Sequence, residues 1–296
     1  MGITSIDART NATRTSRAAT GTGADADTDT SAASPRAHGR AATIGRRTAS
    51  FTARIAARWW AVALVIIVWH LWVTIAGFNR IVMPSPLEVA SDLIRNPGAY
   101  AGDTARTLSM GIFGLVVGMT LGYVIAVGSW VSPLLSGITS PLVLLVRSIP
   151  IVAIIPVIAR VVGYGNSVVP VVTVILAFFP AYVMTTSGLR AAPATSRDMF
   201  TALGASRWTT LRRLLVPSSL PHLAVAFRLC ASSTILAAMV AEFLVGTSGL
   251  GRLFSTARFR FETDRAFGAA VIATVASVLL FQFSLKVERY VRARYR

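Results

Sequence analysis

Acidic side chains, cysteine and histidine are all scarce in this chain of 296 residues: it has 12 Asp+Glu, one Cys and three His. A lone Cys230 excludes an internal disulfide. It lies in an apolar run and reads as an inert, packed thiol. His38, His70 and His222 are far apart and form no ligand spacing, so no metal site is implied. No G-x4-G-K-[ST] phosphate loop occurs, which excludes nucleotide binding of that kind. There is also no nucleophile elbow and no metal-ligand helix. Polar side chains are too sparse in the apolar runs for a catalytic constellation, so the chain does not read as an enzyme.

What is abundant is apolar sequence: 54% of residues are hydrophobic and 14% charged, with a mean hydropathy of +0.63. Soluble domains carry about 25% charged residues. The apolar residues fall into blocks near the ~20 residues that a bilayer core requires of a helix. These features predict an all-α membrane protein with about six spans, at 59–77, 104–128, 149–162, 168–188, 223–245 and 266–285. The net charge of +17 raises nucleic-acid binding. The basic residues cluster instead at the ends and in one loop, beside apolar runs, which is the positive-inside pattern. No nucleic-acid partner is expected.

Residues 1–55 have few large apolar side chains and are expected to be a disordered cytoplasmic tail. Arg46, Arg47, Arg54 and Arg58 would hold the first span's start in the cytoplasm, with Trp59 and Trp60 at the interface. Residues 56–296 form the membrane domain. Gly114, Gly118 and Gly122 recur every four residues with Ala126, which places small residues on one helix face and allows close helix approach. Residues 132–163 carry Pro141, Pro150 and Pro156. That pattern predicts a re-entrant or amphipathic piece before the span at 149–162, a candidate pathway lining. Residues 247–264 read as an external loop. Five arginines against Asp198 in 189–213, and five basic residues against Glu288 in the tail, place both on the cytoplasmic side. Six spans put both termini there. Five or seven would strand the basic tail outside.

The polar, Arg-rich segment 195–221 interrupts the apolar runs. Thr195 is placed to cap a helix with Asp198 at the third position after it. Gly204 ends that helix by tolerating left-handed angles. Ser206 is placed to cap a second helix through Leu215, and Pro217 and Pro221 set where the next span begins. An acid, a glycine six residues later and a proline thirteen after that resemble the EAA loop of ABC-transporter permeases, E-A-A-x3-G-x9-I-x-L-P. Met199 and Phe200 replace its two alanines. MPSPLEV at 83–89, RSIPIVAIIPVIARVVGYG at 147–165 and AEFLVGTSGLGRLF at 241–254 resemble segments of the nitrate/sulfonate/taurine-type permeases. The likeness covers about residues 80–290.

The resemblance implies a type I importer permease fold (MetI-like) in the bacterial plasma membrane, with a cytoplasmic coupling loop at 189–221. It implies that Asp198, Ala202, Gly204, Ala205, Arg207, Leu214 and Pro217 meet a dimeric ABC ATPase, which would hold the ATP and Mg; this chain would hold no cofactor. A second permease copy or paralogue and an extracytoplasmic solute-binding protein complete the implied assembly. The solute implied is a small anion such as a sulfonate, nitrate or related organic acid.

Candidate pathway or gating residues are Arg147, Pro150, Pro156, Arg228, Glu242 and Gly249. Arg147 is expected near the cytoplasmic side and Arg160 near the outer side. Arg228 either snorkels to the cytoplasmic face or meets an anion or carbonyl in the pathway. Glu242 is either a structural ion pair or cap, or a gating group. An ATP-independent carrier or channel is the rival reading, and would show paired ionisable residues deep in the spans.

Overall fold

The structure is a computed structural model that describes residues 60–295; the side chains of Ser140, Leu144, Val146, Arg147 and Ser148 are outside the description. The tail expected at 1–55, with Arg46, Arg47, Arg54, Arg58 and Trp59, lies outside the described residues. Every regular element among those residues is helical. In order they are α1 (Trp60–Ala76), α2 (Pro86–Arg95), α3 (Pro97–Val131), α4 (Pro133–Ser148), α5 (Ile151–Val162), α6 (Val168–Arg190), α7 (Ala194–Ala202), α8 (Arg207–Thr210), a π turn (Leu211–Leu215), α9 (Val216–Val245), α10 (Leu250–Phe259) and α11 (Thr263–Arg294).

Among the described residues four stretches are long and apolar enough to cross a membrane: α3, α6, Arg207–Val245 and α11. At 1.5 Å per residue, α6 alone spans about 35 Å, against a hydrocarbon core of about 30 Å. The other two predicted spans take different forms. α1 has 17 residues, or about 26 Å. The span expected at 149–162 is a correction: α5 has only 12 residues, about 18 Å, and cannot cross by itself. It is the second half of an interrupted pair with α4. The break falls where Pro150 lacks the N–H that would continue the helix.

Hydrogen bonds show which ends lie together. In the first half of α4, which follows directly on α3, Thr139 Oγ1 lies 2.9 Å from Ser129 Oγ at the end of α3 and 3.0 Å from the Tyr182 hydroxyl late in α6. Beyond the end of α5, Asn166 is bonded to Thr247 and Ser248, which follow α9. The α4–α5 pair therefore runs from one end of the bundle to the other, as a single span would.

α3, α6 and α9 pack at the centre. Gly114, Gly118 and Gly122 are all buried, and the predicted small-residue face is the α3–α6 seam. A Cβ on Gly114 would fall on the Thr173 hydroxyl. One on Gly118 would sit 2.9 Å from Ala177 Cβ, and one on Gly122 would sit 2.6 Å from Phe178 O. Backbones approach this closely only without side chains between them, a packing device for helices in lipid. Ile155 and Ala159 of α5 join Val168, Val169 and Val172 of α6 and Ala238 and Ala241 of α9 in one core. Trp69 of α1 stacks on Phe267 of α11 with ring centroids 5.7 Å apart.

One expectation changes here. Residues 247–264 are not a loop throughout, because α10 occupies Leu250–Phe259. The polar stretch after α1 contains α2, started by a capping box in which Ser85 Oγ accepts from Glu88 N and Glu88 Oε2 accepts from Ser85 N.

Candidate functional site

One end of the bundle is built around α7 and α8. α7 begins at Ala194, so Thr195 is not its cap. Pro193 takes that place: its ring holds φ near −54° with an extended ψ of 139°, and its carbonyl accepts from Arg197 N at 3.2 Å. The proline starts the helix before the hydroxyl can. Asp198 is consequently past the first turn and exposed. Arg197 reaches back to the end of α6, where its Nη2 donates to Leu189 O at 3.0 Å and Arg190 O at 2.8 Å. Those carbonyls have no donor within the helix, so Arg197 fastens α7 to α6.

The end of α7 explains the glycine. Gly204 has φ 68°. Its N–H bonds Thr201 O at 3.0 Å, and Ala205 N–H bonds Phe200 O at 2.9 Å. These are the two bonds of a Schellman stop, whose left-handed residue is usually glycine. Ser206 then caps α8 as predicted, its Oγ accepting from Thr209 N at 3.2 Å.

The second helix does not stop at Leu215. It passes through the π turn and continues as α9, a continuous rod from Arg207 to Val245. Pro217 therefore lies inside the rod rather than at a start. The widened turn precedes it, where Pro217 supplies no N–H. Leu211 and Leu215 are buried with Leu189 and Ala192, with Leu214 packed against them. Ala202, Arg207, Met199, Leu203 and Trp208 face outward, the last three being 56%, 74% and 65% exposed. Ala205 is half-buried between them.

The opposite end carries Glu242, 1% exposed. Its Oε2 accepts from Thr107 Oγ1 at 2.7 Å and from Gly251 N at 3.0 Å. Thr107 Oγ1 in turn accepts from Leu250 N at 2.8 Å, and Asp103 Oδ1 accepts from Gly249 N at 2.8 Å. Asn166 Oδ1 accepts from Thr247 N and Ser248 N, and its Nδ2 donates to Ser248 Oγ at 2.6 Å. Five consecutive backbone N–H groups, from 247 to 251, are thus held by side chains of α3, the 163–167 turn and α9. Gly249, at φ 101°, lies so close to the Glu242 carboxyl that a Cβ would collide with it. Glu242 is therefore a structural cap rather than half of an ion pair. Asp103, Thr107 and Asn166 carried no signal in the sequence, since their partners lie more than 80 residues away.

Of the described pathway candidates, Glu242 and Gly249 come together and Arg228 lies apart from them. Arg228 Nη1 lies 3.1 Å from Glu288 Oε2 on α11, and Arg292 Nη2 lies 2.9 Å from Glu288 Oε1. Arg228 thus has a carboxylate partner, an outcome the sequence reading did not include. Arg228 and Glu242 are 14 residues apart on α9, about 21 Å along the axis. Pro150 is the N-cap of α5 and Pro156 lies inside it, exposed, as is Arg160 in its last turn. Arg147 falls in the last turn of α4, and its side chain lies outside the described residues. Beside the α4–α5 break is an apolar cavity of about 270 Å³, lined by residues that include Leu121, Ile149, Ile154 and Phe178. Among the described residues no cluster of His, Cys, Asp or Glu is arranged to hold a metal.

Comparison with known proteins adds the context. The family model described as "Binding-protein-dependent transport system inner membrane component" matches residues 118–296. A probable ABC transporter permease protein of Haemophilus influenzae is 27% identical over 220 residues, covering 74% of this chain and 90% of that protein. The riboflavin transport system permease protein RibX of Chloroflexus aurantiacus is 29% identical over 76% of this chain and 85% of its own length. The putative aliphatic sulfonates transport permease protein SsuC of Bacillus subtilis is 24% identical over 77% of this chain and 83% of its own. Among solved structures, an inward-facing form of the MetNI methionine ABC transporter aligns with a TM-score of 0.51 at 22% identity, covering 67% of this chain and 95% of that one.

Proposed function

Because the chain belongs to the binding-protein-dependent transport system inner membrane components, the permease subunits of ABC importers whose ATPase is a separate polypeptide, we propose that the α7–α8 corner is where that ATPase grips it. The observation that carries this reading is the exposed apolar set Met199, Leu203 and Trp208 on an otherwise polar corner. Exposed apolar patches of this kind mark interaction sites. The corner is also mechanically suited. Arg197 ties it to α6, and α8 is continuous with α9, so a push on the corner moves a rod that reaches the far end. Asp198, Ala202, Gly204, Ala205, Arg207, Leu214 and Pro217 belong to this coupling region, with ATP and Mg held by the partner.

The Arg-rich α7–α8 end and the basic end of α11 face the cytoplasm, together with the N-terminal tail, by the positive-inside bias. The 247–251 end then faces outward, toward a solute-binding protein. A second permease copy or paralogue completes the pore. α5 and α9, joined in one core, line the route, and ATP-driven closure of the ATPases rocks them between inward-open and outward-open arrangements. The solute is a small anion such as a sulfonate, nitrate or related organic acid, in keeping with the likeness to an aliphatic-sulfonate permease. An ATP-independent carrier would show paired ionisable residues deep in the spans; it is less well supported, because the Arg228–Glu288 pair, though it starts midway along α9, reaches the last two turns of α11, and Glu242 sits at the end of α9 as a cap.

The test is disulfide crosslinking. Cysteines at Ala202 and Arg207, in a Cys230→Ala background, should crosslink to single cysteines on the ATPase groove in a nucleotide-dependent way. Crosslinks that form only at the opposite end, or none in an assembled complex, would sink the reading.

A further inference from the structure

α10 and the corner after it present an unusual surface. Phe259 and Phe261 are 77% and 72% exposed, and Arg252, Arg258 and Arg260 are exposed beside them. Arg252 and Phe259, seven residues apart, share one face of α10. Among the described residues none of these three arginines has an acidic partner. The nearby acids are used internally: Asp264 pairs with Arg80 at 2.6 Å, and Glu262 with Arg265 at 2.8 Å.

Phe261 has φ 59°, the one positive φ outside glycine among the described residues. Its N–H bonds Arg258 O at 3.2 Å, and Glu262 N–H bonds Ala257 O at 2.9 Å. This is the same helix stop as at Gly204, but here a phenylalanine occupies the position that glycine fills without strain. Burial does not account for the choice, since the ring faces solvent. Such an outlier points to function. The corner is also held rigidly from below, by Arg80–Asp264 and by the Thr263 hydroxyl donating to Ile81 O at 2.7 Å.

α10 follows the far end of α9, so it lies at the opposite end of the bundle from α7 and α8. On the orientation proposed above, three unpaired arginines there run against the positive-inside bias. We propose that Arg252, Arg258, Phe259, Arg260 and Phe261 form a docking surface for an acidic, partly apolar face of the protein that delivers the solute. Charge complementarity selects an acidic partner, and the rings supply buried apolar anchors. A fluid lipid surface needs no side chain fixed at the cost of backbone strain, whereas a shaped protein surface gains from it. The inference rests on the outward orientation and on the existence of such a delivering protein.

The experiment uses the permease–ATPase complex in nanodiscs and its solute-binding protein. Affinity is measured at several salt concentrations for wild type, Arg258→Glu/Arg260→Glu and Phe261→Gly. Charge reversal should weaken docking at least tenfold at low salt and flatten its salt dependence. Phe261→Gly should weaken docking while leaving the melting temperature equal or higher, which separates lost contact from misfolding. Wild-type affinity in both variants overturns the docking surface alone. If the wild-type complex itself shows no docking, the assembly reading fails with it. If the variants lose binding to phosphatidylglycerol vesicles while docking is unchanged, the corner is a headgroup anchor and the proposal is wrong.

Discussion

Replacing Glu242 by alanine should destabilise the protein far more than replacing it by glutamine. In the folded state Glu242 Oε2 accepts from Gly251 N and from Thr107 Oγ1, both within the buried node. Alanine removes the acceptor that both donors share. A buried donor left without a partner costs about 1–3 kcal/mol. The Gly251 N–H is fixed in the backbone and bears this in full. The Thr107 hydroxyl can rotate toward a carbonyl of its own helix and recovers part of it. A loss of about 2–4 kcal/mol follows, plus a smaller cavity cost. Glutamine can place its carbonyl oxygen where Oε2 sits and keep both bonds, so its cost should stay within about 1 kcal/mol. Denaturation in mixed micelles, titrated with SDS, measures the difference, and amide exchange at 248–251 should accelerate in the alanine variant alone. Equal destabilisation by both variants would refute the capping argument and show that the carboxylate's charge matters.

Gly118→Val should force α3 from α6, because even a Cβ comes within 2.9 Å of Ala177. The expected loss is about 1–3 kcal/mol or more, read as a lower melting temperature in detergent, while Gly98→Ala, with open space around it, should change little. Arg197→Met should leave the helical content intact but free the last carbonyls of α6, raising protease cleavage around 190–195 and lowering ATPase-coupled transport. Glu288→Ala leaves Arg228 and Arg292 facing each other without their shared carboxylate, so it should destabilise more than Arg228→Gln, which leaves the Arg292 pair in place. The same SDS titration ranks the two.

How much of this was legible in the sequence depended on distance along the chain. The glycine ladder at 114, 118 and 122 was readable because four-residue spacing places residues on one face whatever they meet. Gly204 and Ser206 were readable because stops and caps are local. Thr195 misled because two adjacent start signals competed and Pro193, which fixes its own φ, prevailed. Residues 247–264 read as a loop because their arginines and Gly249 break the apolar run. α10 is a short amphipathic helix, which needs no such run. The break at Pro150 was visible, but not that α5 would be half a span, since an apolar count cannot distinguish one interrupted crossing from a whole one. The Asp103, Thr107, Asn166 and Glu242 node was not legible, because only the folded bundle brings α3, the 163–167 turn and α9 together. For the same reason the Arg228–Glu288 pair was missed, although both residues stood out as charges near apolar runs.

The central claim is that the α7–α8 corner transmits ATP hydrolysis to the membrane helices. It is tested most directly by ATP-dependent uptake into liposomes holding the permease, its ATPase and its binding protein, with wild type compared with Gly204→Asp. Gly204 is exposed, has open space around it and sits at φ 68°. The substitution therefore strains the stop and alters the surface without crowding the core. The account predicts that uptake and stimulated ATP hydrolysis are both lost while the variant inserts and folds. Normal coupling in that variant would contradict it and place the grip of the ATPase elsewhere on the chain.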